Sequence, residues 1–521
     1  MKLSLRILPI LVFLSSSIFA QNSYVQWSHN LGGAGYDALL SVVGTMDAGS
    51  VSAGFTISSD RDAIGNHKQY SADAWVVKQK ADGSKEWTKT YGGTQSDYFY
   101  GILQTPDSGF ICVGSTNSRD GDVQNRSYDS LDVWVVKLNA DGSIAWQKTY
   151  GGYGNDEGHA ITATADSGFI IAGYTRSNNG QLNNNHGNKD YWIFKIKKDG
   201  TMVWNVNYGG GDDEESNAIA ATSDGGCIVT GYTKSVNKYI TVNHGWVDIW
   251  TIKLASDGSM QWQRSIGGGS YDNAYSIIPT LDSAYILAGE TYSRGGDVKR
   301  PVSDSGSAWL VKLSLKGAIL WQKCYGGSRS NSASCIVQLK DTGAFVVCGA
   351  TTSTEGSLSN NHGGGDAWVM KFKLDSFVEW QKTYGGSKND YASCIALASD
   401  SGYLFVGDTK SYNGDLSNNY DSSWDAWAVK LNSKILGIEN QEHNNFGRIY
   451  PNPVTDQLHI QLNQLNGKGR LEIFDLQGRL LATEIIGSSN YNLDVSYLKT
   501  SIYIIKLYTN NEVWTTKFIK E

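Results

Sequence analysis

After its first 20 residues the chain has no useful run with the 3.6-residue apolar stripe of an amphipathic helix, which turns the reading toward strands. It has no concentrated Lys/Arg cluster and a net charge of −7, which excludes the phosphate-binding surface that nucleic acid requires. Beyond the N-terminus no segment is apolar for long enough to cross a bilayer as a helix. There is no Ser nucleophile elbow, no zinc spacing and no phosphate loop. Proline is scarce, at 6, and cysteine equally so, at 6. Cys112, Cys227 and Cys348 sit in apolar strand runs, and Cys335 and Cys394 occupy the same place in consecutive repeats, so small buried thiols are the plain reading. Cys324, standing where other repeats have Thr, fits this pattern least well.

What is abundant is glycine, tryptophan and tyrosine: Gly 59, Trp 17 and Tyr 29 in 521 residues describe many strands joined by Gly turns. Residues 1–20 combine Lys2 and Arg6, an apolar run too short to span a membrane, and small residues up to Ala20. They read as a cleaved secretory signal. Gln21 follows the expected cleavage point where a lipoprotein would have Cys.

The organising unit is DVWVVKLNADGSIAWQKTYGG (132–152), two strand-like runs around an Asp-Gly turn, hence a β-hairpin. Its first Trp recurs at Trp75, Trp134, Trp192, Trp250, Trp309, Trp368 and Trp427, at spacings of 58 or 59 residues. Its second recurs at Trp27, Trp87, Trp146, Trp204, Trp262, Trp321 and Trp380, and a Gly-Gly pair follows each. Such a period marks a repeat array. Each copy holds four strand-like runs, which predicts an all-β, seven-bladed β-propeller over 22–432 in which no long edge stays open. The chain enters on a fourth-type run, Tyr24–Leu31, and leaves the array after a third-type run, so pairing of Tyr24–Leu31 with Ala426–Asn432 is expected to close the ring.

The stretch WQKTYGGSKNDYASCIALASDSGYLFVGDTKS (380–411) resembles the bacterial beta-propeller repeat known as SBBP, and the likeness extends over about residues 24–432. That resemblance implies the propeller fold and no particular reaction. Residues 433–446 break the period and read as a linker; 447–521 alternate as a small Ig-like β-sandwich. Tyr450-Pro451-Asn452-Pro453, Phe474-Asp-Leu-Gln-Gly478 and Lys517-Phe-Ile-Lys520 fall in order at the C-terminus and resemble the sorting domain of type IX secretion in Bacteroidota. This implies recognition by the type IX machinery and export through the periplasm to the cell surface or medium. Thr500-Ser501 stands where the family usually has Gly.

Three sets of residues are candidates for function. Asp73, Asp132, Asp190, Asp248, Asp366 and Asp425 precede the first Trp by two residues, with Ser307 in the remaining copy. A residue repeated in nearly every copy reads as a structural acceptor for loop N–H groups. Four residues past the Gly-Gly pair stand Asp37, Asp97, Asp156, Glu214, Asp272, Asn331 and Asp390. As oxygen donors these suggest Ca²⁺, but separate blades hold them too far apart for one ion, so loop capping is the preferred reading and no cofactor is expected. Asn-His-Gly recurs at His186, His244 and His362 on blades that are not all adjacent, which argues against a shared metal.

The third set differs between copies. Tyr70, Tyr128, Tyr239, Tyr412, Tyr420, Trp246 and Trp424 lie in the long loops between second and third strands, where the repeat does not demand them. Aromatic faces beside Asn and Asp suit sugar rings or a protein hot spot. The expected function is a non-enzymatic binding scaffold for a glycan or protein. The alternative is a polysaccharide hydrolase or lyase using acids in the propeller funnel, which needs two carboxyls about 5–9.5 Å apart.

Overall fold

The computed structural model describes residues 25–432 and 447–521, apart from 69, 125, 127–129, 183–184, 300, 304, 359–360, 375, 417–422, 463–464, 466–467, 476–478 and 509–512. The signal-like segment 1–20 and the expected linker 433–446 lie outside the described residues. Strands and turns make up the described chain, which divides into two compact units, residues 1–435 and 436–521.

In the first unit the strands form four-stranded antiparallel sheets, numbered 1 to 7 here by the order of their first strands: Asp37–Gly44, Asp97–Gln104, Asp156–Ala163, Glu214–Ala221, Asp272–Thr280, Asn331–Gln338 and Asp390–Leu397. Sheet 3 is typical, running Asp156–Ala163, Phe169–Thr175, Asp190–Ile196 and Met202–Tyr208 in simple meander order. Sheet 7 is assembled from both ends of the repeat array. Its fourth strand is Val25–Leu31, paired antiparallel with Asp425–Leu431 from Val25↔Leu431 to Leu31↔Ala426. The first strand of each sheet lies against that of the next, and the first strand of sheet 7 lies against that of sheet 1. The series of contacts therefore returns to its start.

The recurrent residues explain the stacking. The first Trp of every hairpin is completely or almost completely buried, and the apolar clusters lie between consecutive sheets rather than within one. Val51, Ala53, Ala74 and Val76 of sheet 1, for example, pack with Phe99, Phe110 and Trp134 of sheet 2. In several sheets the second Trp, or the Tyr before Gly-Gly, grips the next hairpin turn. Trp87 Nε1 donates to Ala140 O at 3.2 Å and Tyr91 Oη to Gly142 O at 2.6 Å. Gly142, at φ 77°, has Trp87 so close that a Cβ there would stand 3.0 Å from its ring. Trp27 Nε1 repeats the contact onto Ala81 O of sheet 1, stitching the N-terminal strand of sheet 7 to the start of the array. Leu31, Leu39, Trp75, Leu404 and Val406 fill the core at that junction.

The second unit holds two antiparallel sheets, one of Gly447–Tyr450, Gln457–Leu462 and Asn490–Asp494, the other of Leu480–Ile486, Gly469–Phe474, Ser501–Tyr508 and Val513–Lys520. Leu458, Ile460, Leu471, Ile473, Ile505 and Phe518 share its core. No helix among the described residues is long and apolar enough to cross a membrane.

Candidate functional site

The repeated acids are engaged in holding loops. Each acid at the head of a first strand, and Asn331 in sheet 6, is buried. Asp156 Oδ2 accepts from Gly152 N at 2.9 Å and Ser177 Oγ at 2.7 Å, while Thr175 donates to Oδ1. Asp97 and Asp390 repeat this set with Gly93, Ser118 and Thr116, and with Gly386, Ser411 and Thr409. Burial raises the pKa of Asp37, Asp97, Asp156, Glu214, Asp272 and Asp390 against these bonds.

The acids before the first Trp anchor the long loops. His186 N and Nδ1 lie 2.8 and 2.7 Å from Asp190 Oδ2, and His244 and His362 hold Asp248 and Asp366 in the same way. Asn185 Oδ1 accepts from Gly187 N, so Asn-His-Gly is an Asx turn that presents the imidazole to its own sheet. Asn66-His67-Lys68 is a further copy, hidden in the sequence by Lys at the Gly position and by its longer distance from Trp75; His67 Nδ1 lies 2.6 Å from Asp73 Oδ2. Arg126 Nε serves Asp132 at 3.0 Å, and Val302 N and Ser303 N serve Ser307. Among the described residues no group of three or more His, Cys, Asp and Glu is arranged to hold a metal ion.

A different set of residues converges. Immediately after each capping residue on the first strand stand Ala38, Tyr98, Glu157, Glu215, Asn273, Ser332 and Tyr391. Their direct cross-strand partners are Phe55, Ser115, Tyr174, Tyr232, Glu290, Ala350 and Asp408. These positions vary from sheet to sheet, and their side chains link neighbouring sheets. Phe55 meets Tyr98 edge-on at 5.2 Å; Tyr98 stacks on Tyr100 at 6.1 Å; Tyr100 meets His159 at 5.2 Å. His159 Nε2 lies 3.5 Å from Glu157 Oε2 and its Nδ1 3.9 Å from Glu215 Oε1. Tyr174 donates to Glu157, Tyr232 to Glu215 at 3.0 Å, and Lys189 Nζ pairs with Glu215 at 2.7 Å while lying 3.9 Å over the Tyr174 ring. Asn217 donates to Asn273 at 2.9 Å, Asn273 to Tyr271 at 3.1 Å, and Tyr275 to Glu290 at 2.5 Å. On sheet 7, Tyr391 stacks on Trp424 at 5.4 Å, Lys410 lies 4.8 Å over the Trp424 ring, and Tyr36 donates to Asp408 at 3.4 Å. Sheet 6 contributes only the half-buried Ser332, Ser334 and Ala350.

The carboxyls of this belt are unequal. Burial works to raise Glu157, but the His159 bond and charge, Tyr174 and Lys189 outweigh it and hold its pKa low. Burial opposes charge on His159, yet Glu157 and Glu215 raise its pKa. Asp408 is pushed up to about 6 by burial, with only the Tyr36 bond working against the rise. Burial likewise raises Glu290.

Of the loop aromatics singled out from sequence, Trp424 belongs to the belt and Trp246 reaches it through Tyr271 at 6.3 Å. Tyr239 packs instead on His186 and Tyr208, at 5.4 and 5.1 Å. Tyr70 is 84% exposed, and Tyr412 is exposed under Lys388. Tyr128 and Tyr420 lie outside the described residues. The belt residues on strands escaped the sequence reading because they share runs with core residues; the signal available was that x of Gly-x-Thr changes along the array, being Phe55, Ser115, Tyr174, Tyr232, Glu290, Ala350 and Asp408.

In the second unit two of the sorting motifs meet. Asn452 Oδ1 accepts from Ile519 N at 2.8 Å, its Nδ2 donates to Lys517 O at 3.3 Å, and Val454 N donates to Ile519 O at 2.8 Å. Tyr450 and Lys517 are exposed and Lys520 is mostly buried, while Gly478 lies outside the described residues.

Residues 448–521 match the family model described as a secretion system C-terminal sorting domain. The chain thus carries the signal for type IX export to the cell surface or outside, and the sorting tail implies interaction with that machinery. The regulatory protein FlaEY of Caulobacter vibrioides is 22% identical over 374 residues, covering 64% of this chain and 39% of that protein, so the chain spans well under half of its relative. Among solved structures, a fungal alcohol oxidase of the AA5 family in complex with copper is similar at a TM-score of 0.43 and 9% identity, covering 95% of this chain and 98% of the other. PorZ of Porphyromonas gingivalis, a surface component of the type IX secretion system, is similar at 0.22 and 12%, covering 93% and 81%. At these TM-scores nothing about this chain's activity follows.

Proposed function

We propose that residues 22–432 form a seven-bladed β-propeller that is exported and works as a binding scaffold, taking a glycan or protein ligand at the belt. One observation carries this reading: positions at which the repeat requires no particular side chain hold Tyr98, Glu157, Tyr174, Glu215, Tyr232, Glu290, Tyr391 and Asp408, joined from sheet to sheet. Tyrosine and tryptophan faces stack on the C–H faces of sugar rings, and the carboxylates and amides between them accept and donate to hydroxyls. A glycan is therefore the first ligand class to test.

Glycan and surface-protein arrays, followed by calorimetry on the strongest hit, test the proposal. Trp424→Ala and Glu215→Ala are each expected to weaken binding about tenfold or more, a loss of about 1.4 kcal/mol, whereas Tyr70→Ala leaves it unchanged. Absence of any binding by the wild-type protein, or equal loss in Tyr70→Ala, overturns it.

The unequal belt carboxyls favour a second reading, a polysaccharide hydrolase or lyase, because groups of separated acidity can divide acid and base roles. Turnover on a polysaccharide panel, abolished by Asp408→Asn while binding persists, is the result that replaces the scaffold with the enzyme.

A further inference from the structure

Cys335 and Cys394 hold equivalent places on the first strands of sheets 6 and 7, and their Sγ atoms stand 3.6 Å apart. The same position is Ser41, Gly101, Ala160, Ala218 and Ser276 in the other sheets. Side chains at this level point around the series: Ser41 Oγ accepts from Ile102 N of sheet 2, and Ser276 Oγ from Ile336 N of sheet 6. Cys335 Sγ accordingly lies 3.6 Å from Ile395 O of sheet 7, and Cys394 Sγ 4.0 Å from Val42 O of sheet 1. One thiol is thus aimed at the next by the regular direction of the repeat.

We infer that Cys335 and Cys394 form a disulfide in the exported protein, bonding the first strand of sheet 6 to that of sheet 7. Bringing 3.6 Å to a bond of about 2.05 Å needs a small side-chain rotation rather than a new fold. The route of the protein supplies the conditions, since a chain exported through the periplasm leaves the reducing cytosol. In the reaction, a Cys335 thiolate attacks one sulfur of a periplasmic protein disulfide and expels a thiolate. Cys394 then attacks the mixed disulfide and expels the second, so two chain thiols are oxidised and one disulfide of the oxidant is reduced to a dithiol. The Cys394 hydrogen bond, the largest influence on Cys335, lowers the Cys335 pKa. Cys348, directly across the ladder from Cys335, is a poorer partner, because opposed strand residues keep Cβ atoms about 4.5–5.5 Å apart against about 3.8 Å in a disulfide.

The bridge ties sheet 6 to the sheet that Val25–Leu31 completes, which is where the series of sheets is joined without a covalent link. The test uses full-length protein recovered after export, denatured, alkylated without reductant and mapped by mass spectrometry. Four of the six cysteines are expected to take the alkylating agent, all six after reduction, and one unreduced peptide pair is expected to join Cys335 to Cys394. Cys348→Ser should retain that pair; Cys335→Ser should lose it and expose all five remaining thiols. Reduction should lower the melting temperature of the wild type by several degrees and leave that of Cys335→Ser unmoved. Six alkylated cysteines in the unreduced wild type, or a linked peptide joining any other pair, overturns the inference.

Discussion

The first glycine of each Gly-Gly pair is where the repeat is least forgiving. A Cβ at Gly151 would stand 2.2 Å from Asp132 Oδ1 and 2.8 Å from Asp156 Oδ2, both buried carboxylates that close on the backbone from two sheets. Neither can retreat without abandoning a loop: Asp132 holds Arg126, and Asp156 holds Gly152, Ser177 and Thr175. Gly151→Ala is expected to destabilise by about 2 kcal/mol or more, and Gly269→Ala, with nothing within 4 Å of its Cβ, by less than about 0.5 kcal/mol. Denaturant titration of the two variants decides it. Asp408 gives a pH-dependent counterpart. Its folded pKa, raised from 3.8 to about 6, favours the native state at low pH, and that contribution is lost as pH rises through the folded value. Asp408→Asn should match the wild type near pH 4 and exceed it in stability by up to ~3 kcal/mol at pH 7, read as the difference between two stability–pH curves. These residue-scale pressures are only partly legible in the sequence. The recurrence of Gly-Gly and Asp is plain, but that two acids from different sheets meet at one Cα is a fact of packing.

At the scale of elements, the hairpin was readable because its information is local. VWVVKL and IAWQKTY each satisfy strand chemistry, Asp-Gly supplies the positive-φ turn, and repetition at 58–59 residues multiplies one weak signal into a firm one. The all-β, four-stranded sheets follow from that pattern. The register of the N-terminal strand on Asp425–Leu431 also agrees with the type of run left unmatched at each end, since Val25–Leu31 brings the second Trp and Asp425–Leu431 the first. Removing Val25–Leu31 leaves Asp425–Leu431 as an open edge and takes Leu31 and Trp27 from the junction with sheet 1. The truncated chain is expected to melt several degrees lower and to self-associate through the bared strand, measured by calorimetry and light scattering; an unchanged melting temperature and a monomer would contradict it.

For the molecule as a whole, the division of labour between repeated and varied residues is what matters. Recurrent positions such as Asp190, Trp192 and Tyr208 are spent on loops, core and inter-sheet contacts. The belt is drawn from the positions that remain, and it runs through first and second strands more than through the long loops. Sequence reasoning looked to the loops, where aromatic residues stand out against Asn and Gly. It passed over Glu157, His159 and Asp408, which sit one residue away from core or capping positions and differ in nothing but the direction their strand turns them. The C-terminal unit is the opposite case, since its motifs Tyr450–Pro453 and Lys517–Lys520 were legible as ordered strings, and packing adds that Asn452 joins them.

Sequence by itself determined the strands, their period and the export address, because each is encoded by neighbours along the chain: alternation, turn residues and contiguous motifs. Which side chains from different sheets share one surface, which carboxyls lose water there, and which two thiols come within reach were decided only by the tertiary structure. Those are distances and dielectric surroundings, created when segments more than 50 residues apart are packed side by side, and no local pattern specifies them.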